Sequence, residues 1–159
     1  MEDVLKILES DCRVTPETIA SMTGRTVEEV DEIISDCEER GIIHAYKAVV
    51  DWDRVGDDRV VAFIDVTVAP ERGTGFDDLA HRIYRFPEVR SVYLVSGLHD
   101  LRVVVAGKSI KEVAFFVAEK LSTFDRVQST STHFLLKTYK SEGVIFDAPE
   151  MDRRLAVAP

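Results

Sequence analysis

Seven carboxylates crowd the stretch Thr26–Gly41, TVEEVDEIISDCEERG, against one cation, Arg40: they are Glu28, Glu29, Asp31, Glu32, Asp36, Glu38 and Glu39. Carboxylates at this density accept hydrogen bonds, attract cations and repel anions. Surfaces that meet phosphates use Lys and Arg instead, because affinity for nucleic acid comes largely from releasing condensed counterions. Acidic side chains have one use in a DNA groove, accepting from the amino group of cytosine. That use requires phosphate contacts elsewhere to hold the reading element in register. Cations able to supply them in the first fifty residues are Lys6, Arg13, Arg25, Arg40 and Lys47. Arg25 and Lys47 are the best phosphate candidates, and a helix starting at Thr26 would add backbone N–H donors. The DNA-facing set on this reading is Arg25, Thr26, Glu28, Glu29, Glu32 and Lys47.

Other chemistry is sparse. His44, His81, His99 and His133 are dispersed, with no Cys or Ser partner at motif spacing. Cys12 and Cys37 show no CxxC spacing, so neither a metal nor a redox pair is expected. RGTG at Arg72–Gly75 is too short for a phosphate-cradling loop. We therefore expect no catalysis, no metal and no cofactor. The chain has 159 residues and a net charge of −9, with no apolar run of membrane-spanning length. The start MEDVLKILESD lacks the basic region of a signal peptide, and a soluble cytoplasmic protein without membrane contact is expected. Residues 1–50 hold twelve acids and five bases, whereas the remainder holds seventeen and fifteen. A nucleic-acid domain usually shows a basic face; this N-terminal third shows the opposite.

The elements that must position these residues can be read from periodicity. Val4, Leu5, Ile7 and Leu8 fall at helical spacing. Thr15-Pro16 opens a short helix running to Met22 and ended by Gly24. Thr26 and Glu29 form a capping box, and Val27, Val30, Ile33, Ile34 and Cys37 make one apolar stripe. Three helices with a short turn before the third make a helix-turn-helix arrangement. The β-branched and aromatic run Ile42–Val50 predicts one or two short strands, a wing, completing a domain over residues 1–50. Residues 51–59 read as a polar linker.

Residues 60–146 read as strand Val60–Val68, helix Phe76–Arg85, strands Val89–Val95 and Leu101–Ala106, helix Ile110–Leu121 and strand Val127–Thr138. This α+β order, βαββαβ, is the ferredoxin-like unit, with the middle strands joined as a hairpin through Ser96–Asp100. The strands are apolar on both faces, yet two helices cover only one. A second copy of the chain is expected on the other, as an obligate dimer with a large hydrophobic interface. Val144–Phe146 would extend the pairing or dock on the partner. Residues 147–159 read as a loosely ordered tail.

Three segments, LKILESDCRVTPETIASMTG, EERGIIHAYKAVVDWDRVG and SGLHDLRVVVAG, resemble in order and spacing the Lrp/AsnC, or feast/famine, family, from about Val4 to Phe146. The resemblance implies a transcription factor with a winged helix-turn-helix joined to a ligand-binding RAM domain. It also implies a homodimer that often assembles further, into octamers or other discs, with an amino acid or related small molecule bound between subunits. Carried onto this chain, the effector site comprises the turn Ser96, Gly97, Leu98, His99 and Asp100, with Gln128, Thr130 and Thr132 of the last strand. Gly97 would let backbone amides approach a ligand carboxylate, and Asp100 would pair with its ammonium group. The alternative is that Gly97 serves the hairpin turn while Asp100 caps local N–H groups.

One departure concerns DNA. The family commonly places Arg or Lys where this chain has Asp31, Glu32, Ser35 and Asp36. Weak to moderate, strongly salt-sensitive binding to double-stranded DNA is therefore expected. The runner-up is a small-molecule-binding module that has lost DNA and engages basic proteins through its acidic helix. A sirohaem-decarboxylase-like enzyme shares the architecture, but its His-Asn and Tyr-Arg rich segment is absent from DWDRVGDDRVVAFIDV.

Overall fold

A computed structural model describes residues 1–70 and 75–147. The chain forms two compact units, one up to Val50 and one from Asp51 onward.

The first unit is helical. Helix α1 spans Glu2–Ser10, α2 spans Pro16–Thr23 and α3 spans Val27–Glu39. Thr15 caps α2, its hydroxyl accepting from the Thr18 amide, with Pro16 in the first turn. Gly24 ends it in the left-handed conformation, φ 69°, where a side chain would be strained. Val4, Ile19, Ala20 and Val30 form the core, with Ile7, Leu8, Val14, Val27, Ile33 and Ile34 packed against them.

The predicted wing is not formed. Residues 42–50 make no strand. A strand needs a ladder partner, and this unit contains no second extended segment. The run is instead tied back to the helices: the amides of Ile42 and Ile43 both donate to Cys37 O, and the Tyr46 hydroxyl donates to Glu38 Oε1 at 2.9 Å. The linker is also more ordered than its composition implies. Trp52–Val55 forms one helical turn, α4, capped by Asp51 through the Arg54 amide and closed by Gly56.

The second unit is built on strands β1 (Val60–Val68), β2 (Val89–Leu94), β3 (Leu101–Gly107) and β4 (Val127–Phe134), with helices α5 (Asp77–Ile83) and α6 (Ile110–Glu119). The sheet order is β2-β3-β1-β4, and every pairing is antiparallel. This is the ferredoxin-like unit expected from the element order. Four elements end earlier than predicted: α5 at Ile83, β2 at Leu94, α6 at Glu119 and β4 at Phe134. After α6, a 3-10 turn takes over at Leu121–Thr123, and the β4 ladder closes at the Ala62–Phe134 pair, with Leu135 N still donating to Val61 O at 2.9 Å. Lys140–Ser141 and Val144–Ile145 then form a small hairpin, β5–β6, turning through Glu142 and Gly143. The expected loose tail and the loop Arg72–Thr74 lie outside the described residues.

The sheet is two-faced. Ala62, Ile64, Val66 and Val68 of β1 and Leu101, Val103 and Val105 of β3 pack on Leu79, Ile83, Val113, Phe116 and Leu121 beneath the helices. Alternation along the strands puts Val61, Phe63, Asp65 and Thr67, with Arg102, Val104 and Ala106, on the opposite face. No helix of the unit packs on that face among the described residues. None of the helices is long and apolar enough to cross a membrane.

Candidate functional site

The turn joining β2 to β3 is held rigidly. Val95 N donates to Asp100 O at 2.9 Å and Asp100 N donates to Val66 O at 3.0 Å, which ties the hairpin to β1. Asp100 Oδ2 accepts from the Val68 amide at 2.8 Å. His99 Nδ1 lies 3.1 Å from the Thr67 hydroxyl. Between these anchors Gly97 takes φ 126°, a conformation that side chains disfavour. Leu98 projects outward, 87% exposed. The turn reading is present physically. Asp100 does cap a backbone amide, and its other oxygen carries no hydrogen bond among the described residues.

The last strand brings part of the expected set here. Register shifts between Thr67 and Val68, which pair with Ser129 and Val127 and leave Gln128 out of the ladder as an exposed bulge. Gln128 therefore lies at the end of β1 where Asp100 is fixed. Thr130 and Thr132 sit opposite Val66 and Ile64, on the helix-covered face. His99 and Thr67 belong to the open face, so the two threonines do not share it with them. Single-residue alternation makes the difference: once Gln128 bulges, Ser129 and Ser131 replace Thr130 and Thr132 on the open side.

That open face carries a charged cluster that sequence reasoning missed. Asp65 is only 5% exposed. It accepts from Arg102 Nε at 2.8 Å and Nη2 at 3.0 Å. His133 Nε2 is 3.6 Å from Asp65 Oδ2 and 3.2 Å from the Ser131 hydroxyl. Arg102's hydrogen bonds hold the Asp65 carboxyl below the usual carboxylate range against the opposing effect of burial; the charges of Arg102, His99 and His133 add to the shift. Asp65 and Arg102 are register partners. Their polarity in otherwise apolar strands was the available signal, since a buried carboxylate needs a partner.

In the first unit, α3 is positioned as its sequence implies. The Thr26 hydroxyl accepts from Glu29 N at 3.2 Å and Glu29 Oε2 accepts from Thr26 N at 2.9 Å, a complete capping box. Asp36 pairs with Arg40 at 2.7 Å. Arg25, expected at phosphate, is bound to Asp3, its Nη2 lying 3.0 and 3.3 Å from the two carboxylate oxygens. The reason lies in α1, whose first turn brings Asp3 to the foot of α3. A cleft of about 270 Å3 opens there, between Met1, Arg25 and the side chains of Glu29, Glu32, Ile33 and Asp36. Lys47 is exposed and has no ion pair among the described residues. No cluster of metal-ligating side chains occurs among them either.

A capped three-helix unit preceding a βαββαβ unit defines a helix-turn-helix protein with a ferredoxin-like second domain. Residues 61–145 match the family model described as the Lrp/AsnC ligand binding domain. The chain is 51% identical over 158 residues to the HTH-type transcriptional regulator YugG of Bacillus subtilis, covering 99% of this chain and 95% of that one. It is 26% identical over 137 residues to the leucine-responsive regulatory protein of Rhizobium meliloti, covering 86% and 87%. Among solved structures, a feast or famine regulatory protein from M. tuberculosis complexed with L-methionine superposes with a TM-score of 0.71 at 25% identity, covering 88% of this chain and 92% of that one. The chain belongs to the Lrp/AsnC family and is a transcriptional regulator. Each of these relatives is named as a regulator.

Proposed function

We propose that this regulator binds double-stranded DNA through its helix-turn-helix unit, and that an amino acid or related small molecule binds beside Ser96–Asp100 and changes its assembly. The observation that carries the effector reading is the turn itself. Gly97 opens the backbone, and Asp100 is fixed by one oxygen with the other free to take an ammonium group. Gln128 lies at the same end of the sheet. A relative holding L-methionine supports an amino acid as the ligand class.

The uncovered sheet face supports a homodimer. For effector binding to alter DNA occupancy, the ligand must bind two assembly states with different affinity. Lys47 and the free amides at the start of α3 are the phosphate contacts we assign, with Arg25 joining them only if Asp3 releases it. Protein exposed to a panel of amino acids is expected to change its sedimentation profile with at least one, and to retain upstream duplex DNA at low salt and lose it as salt rises. Unchanged assembly and unchanged DNA affinity across the panel would refute the effector role.

A further inference from the structure

We propose that Glu28, Asp31 and Glu32 are specificity-determining residues that select cytosine in the DNA major groove. This inference rests on the DNA-binding reading above and concerns what the helix reads, rather than whether it binds.

The structure sorts the seven carboxylates of α3 and its cap into two groups. Glu29 closes the capping box, Asp36 is paired with Arg40, and Glu38 accepts from the Tyr46 hydroxyl. Those three serve the fold. Glu28, Asp31, Glu32 and Glu39 are exposed and take part in no hydrogen bond or ion pair among the described residues. Glu39 ends the helix. The other three stand at i, i+3 and i+4 in the first two turns, and such positions share one face. That face points away from the core contacts of Val27, Val30, Ile33 and Ile34. In a helix-turn-helix, the N-terminal residues of this helix are the ones that meet base edges.

An ionised carboxylate only accepts. Guanine presents two acceptors in the major groove, and thymine presents an acceptor and a methyl group. Adenine presents an N6 amino donor, but its neighbouring N7 lone pair faces the second carboxylate oxygen. Cytosine N4 is the donor without an adjacent acceptor on the same base. Ser35, one turn further along, is the only uncharged polar side chain of α3. The three carboxylates accept only, so where they meet bases they select against guanine, adenine and thymine and for cytosine, each contact favouring it by about tenfold. With phosphate repulsion lowering affinity for every sequence, discrimination comes chiefly from these contacts.

The test uses the full chain and a pool of random duplexes at low salt. Retained duplexes are expected to carry cytosine at two or more positions of each half-site. Exchanging one such C·G pair for T·A is expected to weaken binding about tenfold. Pairing that cytosine with inosine, which alters only the minor groove, is expected to leave binding unchanged. E28Q, D31N and E32Q, each compared by thermal melting to verify folding, are expected to bind more tightly overall while losing preference for one cytosine. An enriched motif without cytosine at positions the variants alter, or variants that keep the full preference, overturns this inference and leaves the regulator reading intact. Retention of no duplex at low salt overturns the DNA-binding reading and this inference with it.

Discussion

Arg25 donates through Nη2 to both carboxylate oxygens of Asp3, so the cation nearest the foot of α3 is already neutralised within its own unit. The N-terminal ammonium binds the same carboxylate at 3.0 Å. Together they hold the Asp3 carboxyl well below the usual carboxylate range, the ammonium contributing most. Asp3 stays ionised at any ordinary pH and so remains a partner for Arg25.

Asp3→Asn is therefore expected to strengthen DNA binding by releasing Arg25 to a phosphate. The measurement is the dependence of affinity on salt. One additional phosphate contact steepens the slope of log affinity against log salt by about 0.9. A variant with an unchanged slope would show that Arg25 does not reach the DNA.

Asp100 serves two tasks that substitution separates. Asp100→Asn keeps an oxygen able to accept from Val68 N but removes the charge, so thermal stability is expected to change little while the response to amino acids is lost. Asp100→Ala also leaves the Val68 amide without its acceptor, at a cost of about 1–3 kcal/mol. Equal effector responses in wild type and Asp100→Asn would assign Asp100 to the turn alone.

Acid stability should depend on Asp65. Its carboxyl is held low in the folded state, chiefly by Arg102, so its contribution is present above the unfolded value of about 3.9 and fades as pH falls through the folded value. Asp65→Asn is expected to flatten the fall of melting temperature below about pH 4. Arg102→Met strands the carboxylate. Because the Arg102 side chain is 48% exposed, the expected loss at neutral pH is moderated to about 1–2 kcal/mol.

The open sheet face should govern self-association. Phe63 and Val104 lie there, away from the helix-packed core. Val104→Lys is expected to shift sedimentation toward monomer while leaving the far-ultraviolet spectrum of the sheet and helices in place. Unaltered sedimentation would mean that the copies meet elsewhere.

Much of this architecture is legible in the residues because local and long-range signals agree. Thr26 and Glu29 announce their reciprocal cap, and the boundaries of β1 follow from a nine-residue run dominated by Val, Ile, Phe and Thr. Failures occur where the deciding partner is remote in sequence. Ile42–Val50 has the composition of a strand but finds no ladder partner in its unit. Arg25 looks like a free cation until α1 brings Asp3 to it, 22 residues away. The bulge at Gln128 reverses which side chains of β4 face the open side, and no residue type marks it in advance. Asp65 and Arg102 stand out as polar residues in apolar strands, but only the register of β1 and β3 makes them partners.

The bond from Val68 N–H to Asp100 has a consequence for how a bound ligand would be felt elsewhere. Val68 lies beside the register shift, so a side chain of the turn secures the last residue of β1. An ammonium group that draws Asp100 toward itself competes with that amide for the same carboxylate. Occupancy of the turn then registers as faster deuterium uptake at Val68 and its neighbours in β4. The far end of the sheet, where Val61 and Ala106 pair, keeps its protection.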